Sequence, residues 1–450
     1  MTATAGTRTE GGAPPASRRA LVAGSVGNFI EWYEFGVYGY FATIIAARFF
    51  TPEGASDIEA LVKTYASFAL AFFFRPVGAA LFGRVGDRIG RRPTLILVVL
   101  LMTAATAAIG LLPTYATVGA AAPWLLTLVR VVQGLSAGGE FGGAVSVMTE
   151  FAPPGRRGLY GAWQSFTVAL GLLAGAGLAA LLATVLSEEA LGDWGWRLPF
   201  LLAVPLGLVA LWLRLRLEET PSFRRTHHET AGASAPRTLP APAPAAVPPP
   251  GAAATARAIA LGVGRLMGWS AAGYTFLVVM PSYLQTTLGA SFRQALVATV
   301  VANAGFALAI LPAGALSDRI GRRAVMTAGT VLLILLAFPL LNLLQDPDAS
   351  TAAKSAAVFA AGAAVGLLAG PGPAMLAEMF PTTVRYTGLG LAYALSNAVF
   401  SGSAGLVVTE LIKRTGDVDI PAWYVAIVCA VGLPALLSLR GDDHRRALRD

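Results

Sequence analysis

Glu31 and Glu34 stand three residues apart inside one apolar stretch, and Arg75, Arg130 and Arg265 stand inside three others. Ionisable groups in such surroundings are expensive to bury, so each is a candidate for function rather than decoration. A buried carboxylate can take up and release a proton. A guanidinium offers a carboxylate two parallel hydrogen bonds. The chemistry these residues point to is therefore proton exchange and anion binding. Trp32, Tyr33, Tyr38, Gln133, Tyr274, Asn303, Tyr393 and Asn397 are neutral polar or aromatic candidates in similar stretches, each equally open to ordinary helix packing.

The elements that must position these groups follow from composition. The chain has 450 residues, 55% of them hydrophobic and 13% charged, with a mean hydropathy of +0.64. Soluble domains carry roughly 25% charge, so the solvent implied is a lipid bilayer. Twelve stretches reach the about 20 residues of helix that a bilayer requires. The net charge of +8 lies mostly in short arginine clusters between apolar runs, which reads as membrane topology and not as a nucleic-acid surface. With both termini on the cytoplasmic side, 23 Lys and Arg fall inside, 7 outside, and the three arginines above lie within spans. That asymmetry sets the orientation. The apolar run from Leu21 continues past Phe41 without a cleavage site, so a signal peptide is not expected. The lone Cys429 excludes an internal disulfide and a cysteine metal cluster. The expected organisation is a disordered cytoplasmic tail (1–20), six helices (21–217), a cytoplasmic linker (218–257) rich in Ala and Pro, six helices (258–439) and a short cytoplasmic tail (440–450).

Helical rise then gives depths. Glu31 lies about 15 Å above the inner edge of the first span, with Glu34 one turn higher on nearly the same face. Arg75 lies about 13 Å above Arg84 in the second span, and Arg130 about 10 Å from the outer edge of the fourth. Both arginines are thus at depths where they could pair with Glu31, Glu34 or Glu140, or bind an anion. Arg265 is the only mid-span charge of the second half, and either holds an anion or snorkels to the inner interface.

Between the second and third spans lies Gly83–Arg92 (GRVGDRIGRR), and a second copy, Gly314–Arg323 (GALSDRIGRR), recurs at the same place in the second half. Both read as short cytoplasmic loops, with Gly83, Gly86 and Gly90 permitting a tight turn in the first. The recurrence makes the halves a parallel repeat, and two bundles with a site between them is the layout of a secondary transporter. No segment outside the spans is long enough for a catalytic or nucleotide-binding domain, and the glycine-rich stretch lacks the Lys-Ser/Thr of a phosphate loop. Glu150 with Arg157, and Glu378 with Arg385, sit at matching inner ends and read as gate ion pairs.

The repeated charged stretch resembles the signature loop of the major facilitator superfamily. GNFIEWYEFGVYGY (Gly27–Tyr40), FRPVG (Phe74–Gly78), RVVQGLSAGGEFGGAVSVMTE (Arg130–Glu150), GWRLPF (Gly195–Phe200) and AEMFPTTVRYTGLG (Ala377–Gly390) are similar to its metabolite:proton symporters. The resemblance covers nearly all of the membrane part. It implies an all-α membrane protein with twelve transmembrane helices in two six-helix bundles, located in the plasma (inner) membrane. It also implies uptake of a small metabolite with a proton by alternating access, with no cofactor besides the coupling proton and no enzymatic activity. Family substrates include citrate, 2-oxoglutarate, shikimate, proline and glycine betaine. The arginines favour an organic acid, with a zwitterionic osmolyte or proton-coupled efflux as alternatives; span five lacks the Gly-Pro pair of the superfamily's drug antiporters, which argues against efflux. All three histidines (His227, His228, His444) fall outside the spans, so a side-chain proton carrier within the bilayer must be a carboxylate. Glu34 is favoured by the family's acidic position after the aromatic pair, Glu31 is the second candidate, and static pairing with the arginines is the competing reading. By the same resemblance Asp87, with Arg88, Arg91 and Arg92, latches the inner gate against a helix end of the opposite half, and Asp318 with Arg322 does so from the other side. One chain holds a complete two-bundle unit, so a monomer should suffice.

Overall fold

The computed structural model describes residues 15–51, 56–89, 91–139, 141–142, 145, 148–149, 152–215, 251–441 and 445, without the side chains at 15–23, 83, 86–88, 91, 92, 139, 382 and 383. The side chains of Asp87, Arg88, Arg91 and Arg92, the residues Glu140 and Glu150, most of the linker and most of both tails therefore lie outside the described residues.

The architecture is all-helical. Helices α1 (Pro15–Tyr40), α2 (Asp57–Ile89), α3 (Arg91–Leu111), α4 (Ala121–Ser136), α5 (Arg157–Val185) and α6 (Ala203–Leu215) make the first half. The second comprises α7 (Ala252–Tyr274), α8 (Phe292–Ile320), α9 (Arg322–Gln345), α10 (Thr351–Ala369), α11 (Thr382–Ser396) and α12 (Ile420–Leu437). Among the described residues, nine helical runs are long and apolar enough to cross a bilayer. The first, fourth and seventh expected spans are helical too but do not meet both conditions, and they are among those that carry the buried charges.

Several spans change pitch partway. Helix α7 passes through a π-helical turn, Thr275–Val279, into Met280–Thr286, and α11 through Asn397–Gly402 into Ala404–Thr415. Such wide turns leave carbonyls without their usual partner and bend the axis. Helix α10 breaks at Gly370–Pro371 and resumes as Gly372–Met379, because proline supplies no amide hydrogen and disfavours helix in the residue before it.

The same pairings occur in both halves: α2 packs on α4 as α8 packs on α10, and α3 on α4 and α6 as α9 on α10 and α12. Across the halves, α5 lies along α8 and α2 along α11. The close approach of α2 to α4 depends on glycine. A Cβ on Gly134 would run into the carbonyl of Ala71, and one on Gly138 into that of Arg75. This contact sets Arg75 and Arg130 on neighbouring walls of one bundle.

The charged repeat is not a loop. Helix α2 continues through Gly83 to Ile89, and α8 runs through Asp318 to Ile320. The reversal in the second copy is made by Gly321 alone, at φ 96°, a conformation open to glycine and rarely to other residues. Its acid therefore sits on the last turn of a helix, which aims it at a fixed target.

Candidate functional site

Four of the buried charges, Glu31, Glu34, Arg75 and Arg130, collect in the first bundle. Glu31 and Arg75 form an ion pair at 3.2 Å. The Arg75 guanidinium, whose Nη2 faces Glu31, also lies over Phe35 (4.2 Å) and Phe72 (4.4 Å), and its Nε has no hydrogen-bond partner. Among the described residues, Arg130 has no carboxylate against it. Its Nη1 donates to Gln133 Oε1 at 2.7 Å, its charge rests over Tyr38 (4.1 Å), Phe68 (4.8 Å) and Phe35 (5.3 Å), and its Nε and Nη2 are unpartnered. Phe35 is thus shared by both guanidiniums. An unmet donor on a buried charge costs free energy, so these edges are poised for an acceptor.

Glu34 is fully buried. One carboxylate oxygen, Oε2, accepts from Thr106 Oγ1 at 2.9 Å, and the other, Oε1, has no partner. Gln133 Nε2 donates to the same Thr106 oxygen at 2.7 Å, so Arg130, Gln133, Thr106 and Glu34 form one chain. Thr106 carried no signal in the sequence beyond being a polar residue deep in a strongly apolar span, α3.

Facing this bundle is an aromatic wall. Tyr274 of α7, its hydroxyl unpartnered, packs against Phe72 (5.3 Å), Phe68 (6.0 Å) and Trp32 (6.1 Å). Tyr393 of α11 stacks on Phe141 at 3.4 Å and tilts against Trp269. Glu31, Glu34, Arg75, Arg130, Gln133 and Tyr274 are thereby brought together at the seam of the two halves.

The remaining candidates sit elsewhere. Tyr33 donates to the Pro199 carbonyl at the start of span six. Asn303 is bonded to the carbonyls of Thr299 and Leu277, and Asn397 to that of Tyr393 and the hydroxyl of Ser401. Arg265 is placed far from the cluster: its Nε donates to Ala435 O (3.0 Å) and its Nη2 to Ser438 (2.9 Å). The final carbonyls of α12 lack helical partners, and a cation at a helix C-terminus satisfies them.

Both ends of the seam are shut. At the cytoplasmic end Asp318 accepts from the Gly158 (2.7 Å) and Leu159 (2.9 Å) amides, the second and third residues of α5, and from Arg322 (2.7 Å). Glu378 faces Arg322 at 3.1 Å and, across the halves, Arg157 at 3.5 Å. Buried Arg385 donates to the Ala377 and Phe380 carbonyls. At the outer end Tyr65 meets Ser282 at 2.7 Å and Thr43 donates to Gln285 at 3.0 Å. A hollow between α2, the outer part of the seventh span and the eleventh, lined by Leu61, Ser282 and Thr409, holds only about 10 Å³ of water-sized space, roughly one water molecule.

Replacing Asp318 with Asn keeps one acceptor and removes the charge that two amides and Arg322 share. Charge-assisted bonds are worth about 1.5–3 kcal/mol each, so Asp318→Asn should favour the inward-open arrangement at least about tenfold. Ser165, whose hydroxyl now donates to Ala369 across the seam, gives the readout. On a Cys429→Ala background, Ser165→Cys should react about tenfold faster with a water-soluble maleimide applied from the cytoplasmic side. Unchanged labelling would show that Asp318 does not hold the gate.

Residues 20–239 match the family described as "Sugar (and other) transporter" and residues 265–449 the Major Facilitator Superfamily. The chain is 34% identical over 443 residues to the ectoine/proline transporter ProP of Corynebacterium glutamicum, covering 97% of this chain and 86% of that protein. It is 34% identical over 434 residues to the citrate-proton symporter of Salmonella typhi, covering 95% and 96%. Among solved structures, a D-xylose-proton symporter superposes with a TM-score of 0.72 at 20% identity, over 94% of this chain and 97% of that one.

Proposed function

We propose that this chain, which belongs to the major facilitator superfamily and within it to the metabolite:proton symporters, takes up a small carboxylate-bearing metabolite together with a proton. It is a membrane transporter, not an enzyme. One observation carries the reading: among the described residues, buried Arg130 has two unpartnered donors and no carboxylate against it, while buried Glu34 has one unpartnered oxygen. With Glu34 protonated, Arg75, Arg130 and ionised Glu31 leave one net positive charge, which one substrate carboxylate would neutralise. The substrate would bind at Arg130, with Arg75 and Tyr274 at its flank, and the proton at Glu34. Arg265 is left out of the site because its donors reach α12. The similarity to a citrate-proton symporter supports an organic acid.

A second reading rests on the aromatic wall. Trp32, Trp269, Tyr274 and Tyr393 are all buried at the seam, and aromatic faces attract ammonium groups. A zwitterion such as proline or glycine betaine would place its carboxylate on Arg130 and its cationic end on these rings, consistent with the likeness to an ectoine/proline transporter. In either reading the protein resides in the inner membrane with both termini cytoplasmic, needs no cofactor, and works as a monomer by opening the seam alternately at each end.

Uptake into proteoliposomes of labelled citrate, 2-oxoglutarate, shikimate, proline and glycine betaine under an imposed inward pH gradient tests this. The expected result is gradient-dependent accumulation of one chemical group. Equal accumulation with and without the gradient would remove proton coupling from the account.

A further inference from the structure

We propose that Thr106 is a positioning residue that links the two sites: it reads the protonation state of Glu34 and relays it through Gln133 to Arg130. This deepens the symport reading and rests on it.

The direction of every bond in the chain is fixed by chemistry. Arginine has only donors, so Arg130 must face the Gln133 carbonyl oxygen, 2.7 Å away. That leaves the Gln133 amide nitrogen to donate to Thr106 Oγ1, 2.7 Å away. With one side already accepting, Thr106 has its single hydrogen to give, and two acceptors lie in reach: Glu34 Oε2 at 2.9 Å and the Met102 carbonyl at 3.0 Å.

Those two acceptors define two states. When Glu34 is ionised, the Thr106 hydrogen points to it, and three successive donors run from the cation of Arg130 to the anion of Glu34. Bonds aligned in this way polarise one another. When Glu34 takes a proton, it becomes a donor itself. The Thr106 hydrogen then turns to Met102, and its oxygen can accept from both Gln133 and Glu34. A substrate carboxylate on Arg130 neutralises the charge at the head of the chain and weakens its hold on ionised Glu34. Anion and proton therefore favour each other's binding, and linkage makes that preference reciprocal. The sign is the one a symporter requires.

Other groups face this pocket. Glu31 lies on the same helix, paired with Arg75 of α2. Tyr38 of α1 covers Arg130, and Tyr274 of α7 packs on the Phe68 and Phe72 rings that touch the two guanidiniums. Within the described residues, Thr106 is the only side chain that gives Glu34 a hydrogen bond.

Infrared difference spectroscopy of the full chain in lipid tests the proposal, first without and then with a substrate. A protonated-carboxyl band lost in Glu34→Gln identifies Glu34, and its titration is compared among variants. In Thr106→Val the midpoint should move about one pH unit or more to the alkaline side, because the ionised form loses its donor. Thr106→Ser should titrate like the wild type. Should Thr106→Val not fold, Thr106→Cys, a weaker donor of similar size, should shift in the same direction. Near the wild-type midpoint, addition of whichever member of the transport panel is accumulated should strengthen the band in wild type and Thr106→Ser but not in Thr106→Val. A Thr106→Val midpoint equal to wild type, a Thr106→Ser shift as large, or a substrate response retained in Thr106→Val would overturn the proposal and leave symport standing. Absence of any band lost in Glu34→Gln would overturn both this proposal and the assignment of Glu34 as proton carrier.

Discussion

Glu34→Gln should equalise substrate concentrations across the membrane under conditions in which the wild-type protein accumulates it about a hundredfold. The size follows from the gradient: each pH unit is worth about 1.4 kcal/mol per proton, so about two units support roughly a factor of one hundred. Glutamine keeps the shape of the side chain and accepts from Thr106 with its carbonyl, so the pocket should survive. What it cannot do is gain or lose a proton. Exchange of labelled for unlabelled substrate, which needs no net proton movement, should persist at a rate comparable to wild type. Loss of both accumulation and exchange would mean that Glu34 serves the fold or the substrate instead. Glu31 is the contrasting case. Its carboxylate is committed to Arg75, and removing one member of a buried pair costs about 3–5 kcal/mol, so Glu31→Gln should lower thermal stability before it says anything about protons.

The second large effect is expected at Arg130. Because no carboxylate depends on it among the described residues, Arg130→Gln strands no buried charge, and the protein should fold. The cost should appear in binding. A guanidinium that meets a substrate carboxylate with two charge-assisted bonds contributes about 1.5–3 kcal/mol per bond, so the apparent affinity should fall at least about a hundredfold. Arg130→Lys should recover little, since a point charge cannot reproduce the planar fork. Arg75→Gln differs in kind, because it leaves Glu31 buried and unpaired. A melting temperature reduced in Arg75→Gln and kept in Arg130→Gln, with affinity lost mainly in the latter, would separate structural from binding arginine. Equal affinities for wild type and Arg130→Gln would move the anion site elsewhere.

Much of this organisation was legible in the chain itself. A bilayer demands long apolar helices, so the spans announce themselves, and the repeated charged stretch shows that the halves correspond. Depth counting also brought Arg75 level with Glu31, where their ion pair lies. Three features were out of reach for identifiable reasons. The charged stretch reads as a loop because arginines and glycines punctuate it, yet the helix on each side of it continues and Gly321 alone makes the second turn. Arg265 reads as an isolated mid-span charge because its partners, Ala435 and Ser438, belong to a helix end 170 residues away or more. Thr106 is a single hydroxyl in an apolar run, and only the third dimension shows it between Gln133 and Glu34.

The central claim is that one substrate carboxylate and one proton enter together. Its most direct test is to add substrate, at equal pH on both sides and with no membrane potential, to lightly buffered proteoliposomes and follow the external pH. The account predicts alkalinisation outside the vesicles in step with uptake of label, and none with Glu34→Gln. Label entering the wild-type vesicles without any change in pH would contradict it.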